Sequence, residues 1–160
     1  MAERRELLIV LGLIAALALA ILLRSFMPTA NTPEITIEDG ERPARIISMA
    51  PSVTEVLFAV GAGDQVAGVT RYCDYPPEAA RCPQVGGYLD PSYEAVLTLQ
   101  PDLIVILSEQ ESSAGRMFRE MGLEVLTVEH RDLAGIMESI TVIGEAAGRQ
   151  QEAAGLRDSL

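Results

Sequence analysis

Short apolar runs alternate with stretches of helical periodicity along the chain from residue 45 onward. The apolar runs are RIISM at 45–49, VAGVT at 66–70, QVGG at 84–87, LIVIL at 103–107 and EVLTV at 124–128. Helical patterns begin at Ser52, at Asp90, near Gln110 and at about Leu133. Strands that alternate with helices are typical of a parallel sheet covered by helices on both faces. We therefore predict an α/β fold.

Residues at the predicted helix ends support this pattern. Ser52 and Glu55 have the spacing of a capping box, and Asp90 followed by Pro91 is typical of an N-cap and first helical residue. Gly122 stands where a helix C-terminus favours a left-handed residue. In the helix that starts near residue 133, one stripe of side chains is predicted to pack in the core: Leu133, Ile136, Met137, Ile140, Ile143 and Ala147.

The N-terminal residues show a different pattern. Leu7 to Leu23 is an uninterrupted apolar run with arginines on both sides. Its length exceeds that of an ordinary secretory signal core and lies at the short limit for a membrane span. Residues 1–24 are therefore interpreted as a signal anchor (a transmembrane helix) or a cleaved signal peptide, and the remainder as exported. Residues 25–44, which are rich in proline, predict a linker.

The composition excludes some classes of function. The chain has 23 acidic residues against 12 basic ones, and its formal net charge is −11. A domain this acidic repels phosphate backbones, so nucleic acid is not an expected partner. The glycines of GAGD at 61–64 end a predicted helix rather than open one, so they do not indicate a dinucleotide loop. We find no Walker motif and no nucleophile and base pair, and we predict that the chain is not an enzyme.

Both cysteines lie in one loop, TRYCDYPPEAARCP at 70–83. The spacing of Cys73 and Cys82, with His130 as the only histidine, does not fit a closed zinc site. In an exported protein the two cysteines could form a disulfide, and unpaired packing thiols are the alternative. We interpret His130 as a loop residue. No metal or other cofactor is predicted.

Ligands of parallel α/β sheets bind outside the carboxyl ends of the strands. The predicted strand ends carry Ser52, Arg71 with Tyr72, and Tyr88. Tyrosine offers a flat apolar face and one polar group, which suits a bulky ligand of mixed polarity. Tyr72 and Tyr88 are thus predicted to border a binding site. Arg71 could pair with a ligand carboxylate or phosphate, or form a surface salt bridge.

Several motifs resemble the N-terminal lobe of the periplasmic binding proteins for cobalamin, haem and iron siderophores, the bilobed proteins with a helical backbone that serve ABC importers. The resemblance extends from about Arg45 to the chain end. Its most specific parts are A-P-S-V-T-E at 50–55, G-A-G-D at 61–64, C-D-Y-P-P-E-A at 73–79, V-G-G-Y at 85–88 and L-Q-P-D-L-I at 99–104.

The resemblance implies a capture protein with two Rossmann-like lobes joined by one long helix. Residues 45–147 would form the N-terminal lobe and 148–160 the start of that helix, with the second lobe absent. Tyr72 and Tyr88 match aromatic positions that line the ligand cleft of the family. Glu94 matches a glutamate that docks on the permease, although a carboxylate in a first helical turn is also favoured by the helix dipole.

The sequence leaves two other hypotheses open. The chain could be a truncated or half-size protein that binds a partner without catalysis, or an enzyme on a Rossmann-like domain. The ligand of the expected capture protein is not specified, because the contacts that distinguish cobalamin, haem and siderophores are shared with the second lobe.

Overall fold

The structure, a computed structural model, describes residues 42–160. One parallel sheet forms the centre of this part of the chain. The strands are β1 (Ile46–Ser48), β2 (Val66–Val69), β3 (Leu103–Leu107) and β4 (Val125–Val128), in the spatial order β2-β1-β3-β4. β1 pairs with β2 and β3, and β3 pairs with β4, all in parallel. The prediction of an α/β fold with a parallel sheet flanked by helices is therefore confirmed.

The helices are α1 (Pro51–Ala59), α2 (Tyr93–Thr98), α3 (Arg116–Glu120), α4 (Leu133–Ala146) and α5 (Gln150–Ser159). The connection after β3 is less regular than predicted near Gln110, because a 3₁₀ turn and a π-helical turn, Ser108–Gln110 and Glu111–Gly115, precede α3. None of the helices among residues 42–160 is long and apolar enough to cross a membrane. The predicted anchor or signal peptide and nearly all of the predicted linker lie outside the described residues.

The QVGG run does not form a strand. It makes only isolated bridges, from Gln84 to Val69 and from Gly86 to Pro91. Gly86 has φ +97°, and a Cβ there would lie 2.6 Å from the backbone nitrogen of Ser92. This left-handed residue turns the chain away from the sheet, so the run ends in a tight turn instead of continuing the ladder.

The core lies on both sides of the sheet. Ile47, Ile104 and Ile106 are fully buried, and so is Phe118 of α3, whose ring packs edge-on against Tyr93 of α2 at a centroid distance of 5.3 Å. Strands buried on both faces require continuous apolar runs, as the sequence shows.

The stripe predicted for α4 is only partly correct. Ile140, Ile143 and Ala147 are buried, whereas Leu133 is 73% exposed. Leu133 is the first residue of α4, and Asp132 caps the helix there by accepting a hydrogen bond from the Gly135 N–H at 2.8 Å. The first residues of α4 are exposed, so the predicted stripe begins before the buried part of the helix.

Two predicted N-caps are wrong. α1 begins at Pro51 with Ala50 as N-cap, so Ser52 lies inside the first turn and cannot form the predicted capping box. α2 is capped by Ser92, whose Oγ accepts from the Ala95 N–H at 3.3 Å, because Asp90 is held in an ion pair with Arg71. The prediction for Gly122 is confirmed, since it follows α3 with φ +77°.

α5 packs against α4 through a pair of small residues. Gly148, with φ +68°, ends the turn after α4, and the Gly144 backbone comes so close to α5 that a Cβ there would lie 2.3 Å from the Ala153 Cβ. The predicted second helical stretch is therefore present as α5. Its assignment as the start of an interlobe helix, like the lobe boundary at residue 147, stays a prediction.

Candidate functional site

The carboxyl ends of all the strands lie at one edge of the sheet, which we call the carboxyl edge. The chain runs from β1 to β2 on one side and then crosses to β3 on the other, so the strand order reverses between β1 and β3. Crevices for ligands in open α/β sheets lie at such switch points. Ser52 follows β1 and Ser108 follows β3, so both lie at this point.

Tyr72 and Arg71 follow β2 at the carboxyl edge. The Tyr72 side chain is 55% exposed, and the Arg71 guanidinium carbon lies 5.6 Å from the centre of its ring. Arg71 also pairs with Asp90, which is the surface salt bridge predicted as the alternative to a ligand contact. The pair holds the guanidinium against the ring, where a cation is attracted by the π-electrons. Sequence reasoning did not single out Tyr75 in the same loop, which is 65% exposed.

Tyr88 is held at the carboxyl edge by Gln110, a residue to which the sequence analysis gave no role. Gln110 is 1% exposed, and its Nε2 donates to the carbonyl oxygens of Met49 at 3.2 Å and Tyr88 at 2.8 Å. Its Oε1 accepts from the Leu107 N–H at 3.0 Å. Burial, and then the charge of Glu109, raise the pKa of the Tyr88 phenol, so its hydroxyl keeps its proton at neutral pH. A buried amide between two strand ends thus fixes the loop that carries Tyr88.

The two cysteines are free thiols, so of the two alternatives left open by the sequence the structure shows unpaired thiols and not a disulfide. Cys73 is buried, with its Sγ 3.1 Å from the hydroxyl oxygens of both Thr54 and Thr70. Cys82 is half-buried, and burial, followed by the nearby Cys73, raises the pKa of its thiol. The contact with Thr54 fastens the start of the cysteine loop to α1, and Thr54 also donates to the Ser48 Oγ at the end of β1 at 2.7 Å.

His130 connects α1 to α4. Its Nδ1 lies 2.8 Å from the Ser52 Oγ, and its Nε2 lies 2.7 Å from the Ser139 Oγ. Burial lowers the pKa of His130, although the carboxylates of Glu109 and Glu129 act in the opposite direction. The interpretation of His130 as a plain loop residue missed these contacts, because its partners are 78 and 9 residues away along the chain.

The carboxylates beside His130 are themselves paired. Glu129 forms an ion pair with Arg131 at 2.6 Å and accepts a hydrogen bond from the Ser108 Oγ at 2.9 Å. The hydrogen bond from Arg131 is the main reason that the pKa of Glu129 falls to about 2. Among residues 42–160, no three His, Cys, Asp or Glu side chains are arranged to hold a metal ion. This edge therefore offers hydrogen bonds and aromatic surface.

The Glu94 side chain takes part in none of these contacts within residues 42–160. It is exposed in the first turn of α2, and its backbone carbonyl accepts from the Thr98 hydroxyl at 2.8 Å. An exposed carboxylate there suits both interpretations given above, a docking residue and a group favoured by the helix dipole. The structure thus groups Ser52 and Tyr88 around the strand ends and Arg71 with Tyr72, whereas Glu94 is exposed in the first turn of α2.

Comparisons with known proteins agree with this architecture. A family described as periplasmic binding protein matches residues 46–158. The uncharacterized ABC transporter substrate-binding lipoprotein YvrC of Bacillus subtilis is 34% identical over 128 residues, which are 78% of this chain and 40% of that protein.

Two solved structures are also similar. The periplasmic vitamin B12 binding protein BtuF of Vibrio cholerae superimposes with a TM-score of 0.67 at 30% identity, over 74% of this chain and 48% of that one. The periplasmic heme binding protein HutB of Vibrio cholerae gives a TM-score of 0.64 at 26% identity, over 72% of this chain and 45% of that one. The chain therefore spans less than half the length of each of these relatives.

Proposed function

The chain belongs to the periplasmic binding protein family, and we propose that it acts as the extracytoplasmic substrate-binding component of an ABC importer. It captures cobalamin, haem or a ferric siderophore and delivers it to the permease. Two of its relatives are named for vitamin B12 and for heme, and a third for ABC transport. The proposed location is the outer face of the cell membrane, through an N-terminal anchor, or the periplasm.

One observation carries the proposal: the carboxyl edge of the parallel sheet presents an exposed tyrosine ring after β2, the strand next to the switch point. Tyr72 is 55% exposed beside the end of β2, and Gln110 holds Tyr88 near the ends of β1 and β3. Flat aromatic surface with few polar groups is the pattern that binds large ligands of mixed polarity. Tyr72, Tyr88, Ser52 and Arg71 are the proposed ligand contacts, and no catalytic step or cofactor is required.

The charges at the carboxyl edge narrow the ligand class. Arg71 pairs with Asp90 and Arg131 with Glu129, so both arginines at this edge are already engaged by carboxylates. The exposed carboxylates of Asp74 and Glu109 add negative charge. A ligand with several carboxylates would be repelled, because like charges raise the free energy of binding. The arrangement favours a corrinoid without net charge over a carboxylate siderophore.

Tyr72 provides the test of capture. The full chain in detergent micelles is titrated with cyanocobalamin, haem and a ferric carboxylate siderophore, and binding is followed by calorimetry. We expect Tyr72→Ala to weaken cyanocobalamin binding about 2- to 13-fold, since an aromatic contact contributes about 0.5–1.5 kcal/mol. Glu124→Gln is the control, because this exposed residue lies at the opposite end of β4 from the carboxyl edge. No binding of any ligand at high micromolar concentration contradicts the proposal.

A second candidate function is binding of the ligand only together with a partner lobe. It is supported by the fact that the chain spans 48% of the vitamin B12 binding protein. In the same titration, cyanocobalamin binding that appears only after a separately produced second lobe is added would favour this candidate.

The proposed docking role of Glu94 has its own test. Glu94→Lys should abolish ligand uptake by cells that carry the importer and leave the Kd for the ligand unchanged.

A further inference from the structure

His130 bridges two serines that come from different helices, α1 and α4. Its Nδ1 lies 2.8 Å from the Oγ of Ser52, in the first turn of α1, and its Nε2 lies 2.7 Å from the Oγ of Ser139, on α4. Ser139 is buried, whereas Ser52 is half-buried at the switch point. The bridge therefore connects a closed interior position to the proposed ligand site.

The direction of each hydrogen bond follows from the third contact of this cluster. The Ser139 Oγ lies 2.7 Å from the carbonyl oxygen of Ile136, and it must donate its single proton there, because a carbonyl can only accept. Ser139 therefore accepts from His130, and Nε2 carries the proton. A neutral imidazole has one N–H, so Nδ1 is bare and accepts the proton of the Ser52 hydroxyl.

We propose that His130 is a positioning residue that fixes Ser52 as a hydrogen-bond acceptor toward the ligand. With its proton directed at Nδ1, the Ser52 oxygen presents only lone pairs to any group in the crevice. Within residues 42–160, the Ser52 Oγ forms no other hydrogen bond. The site thereby selects a ligand group that donates N–H or O–H, such as a carboxamide, over a carboxylate. This inference rests on the proposed function, because it assumes that Ser52 faces the ligand.

Acid should reverse the polarity of this contact. Burial lowers the pKa of His130 and thereby favours its neutral form. The charged groups that act on it are Glu109, which follows β3, and Glu129, which precedes it in the chain. The residues that contact it from α1 and α4 are serines. Once Nδ1 is protonated it donates to the Ser52 oxygen, and the Ser52 proton becomes free for the ligand. The preference for carboxamides should therefore decrease as the pH falls.

The tautomer can be measured without any ligand. His130 is the only histidine of the chain, so the full chain labelled with ¹⁵N-histidine in detergent micelles gives one pair of ring nitrogens. At pH 8 we expect a protonated Nε2 and a bare Nδ1, which are distinguished by their chemical shifts and their couplings to the ring protons. A protonated Nδ1 at this pH would overturn the proposal, whether or not a ligand binds.

Two substitutions separate the two ring nitrogens. His130→Asn places an amide oxygen near the Nδ1 position and can still accept from Ser52, whereas His130→Gln reaches Ser139 and leaves the Ser52 hydroxyl free to rotate. The probes are dicyanocobinamide, which carries carboxamides, and dicyanocobyrinic acid, which carries carboxylates on the same ring. We expect the wild-type chain and His130→Asn to prefer the carboxamide probe, and His130→Gln to lose about tenfold of that preference.

The outcomes distinguish this inference from the function on which it rests. If both variants keep the wild-type preference, or lose it equally, His130 does not set the polarity of Ser52. If the wild-type chain binds neither probe, nor cyanocobalamin, the proposed function fails and ligand selection by Ser52 fails with it. The tautomer measurement tests the hydrogen-bond direction independently of that result.

Discussion

Gln110 shows at the scale of one residue how a buried polar side chain can organise a binding edge. Its amide satisfies the carbonyl oxygens of Met49 and Tyr88 and the N–H of Leu107, and the side chain is almost completely buried. Buried polar groups of this kind stabilise a structure only when each has its partner. The residue thus couples the position of Tyr88 to the stability of the fold.

Replacement of Gln110 should therefore be costly. Gln110→Ala leaves one buried carbonyl, one half-buried carbonyl and one N–H without their partner, and we expect the free energy of unfolding to fall by about 2–4 kcal/mol. Urea denaturation measures this change. Ser113→Ala is the matched control in the same connection, because the Ser113 hydroxyl is exposed and donates only to the Gln110 carbonyl at 3.2 Å. Equal stability of the two variants would contradict the role given to Gln110.

His130 makes stability depend on pH in a defined direction. Burial lowers its pKa in the folded chain below the value of about 6.5 expected in the unfolded chain. Below pH 6.5 the unfolded chain then binds more protons, so the free energy of unfolding decreases as the pH falls toward the folded pKa. Urea denaturation of the wild-type chain between about pH 7 and 5.5 should show this decrease. His130→Gln, which cannot titrate, should show a flatter profile, and an unchanged slope would refute the assignment.

At the scale of elements, the contact between α4 and α5 depends on small side chains. Gly144 and Ala153 face each other where the two helices come closest, and no larger residue fits at Gly144 without displacing α5. Helices approach this closely only where at least one side chain is very small. The pairing explains why glycine stands inside a helix in spite of its low helix propensity.

Two glycine substitutions distinguish this packing from helix propensity. Gly144→Ala introduces a Cβ 2.3 Å from the Ala153 Cβ, and overpacking should lower the free energy of unfolding by about 1–3 kcal/mol. Gly155→Ala in α5 meets nothing within 4 Å, so the better propensity of alanine should raise stability by up to about 1 kcal/mol. Thermal denaturation compares the two. The second substitution Ala153→Gly should restore Gly144→Ala, and failure to do so would locate the strain elsewhere.

At the scale of the whole molecule, negative charge should shape the response to salt. The chain has a formal net charge of −11, and the two arginines of the carboxyl edge are paired with carboxylates. The field of such a protein disfavours anionic ligands most at low ionic strength, where the screening length is greatest. We therefore expect the negative charge to determine the selectivity against anionic ligands, and aromatic contact to determine the affinity for the bound ligand.

The salt dependence of binding tests this statement. Between about 10 and 300 mM NaCl, the Kd for cyanocobalamin should change less than about twofold, because this ligand carries no net charge. Binding of a ferric carboxylate siderophore, if it is detectable, should become tighter as salt is added. Calorimetric titrations at several salt concentrations measure both. Siderophore binding that weakens with salt would indicate an unpaired cationic group in the site.

The periodicity of the sequence alone determined the α/β class, the start of α4 and the four strands that pair, together with a fifth run at 84–87 that does not form a strand. Burial on both faces of a parallel sheet imposes such continuous apolar runs. The motifs determined the family, and the strand ends located Tyr72, Tyr88 and Ser52 at one edge, since parallel strands end together. Local chemistry was less informative at helix ends, where Ser52 and Asp90 resembled caps. In the structure, Ser52 contacts His130 and Asp90 pairs with Arg71. Each side chain makes this long-range contact in place of the predicted hydrogen bond to a helix N-terminus.

Only the tertiary structure decided which distant side chains meet. The distant partners of His130 lie in α1 and α4, and those of Gln110 are Met49, just after β1, and Tyr88. No spacing along the chain encodes these contacts. The same holds for the cysteines, whose hydrogen-bonding neighbours within residues 42–160 are hydroxyls and carbonyls. A hydrogen bond depends on atomic positions to within a few tenths of an ångström. Such positions are set by the packing of the whole core, and hydrophobic periodicity does not specify them.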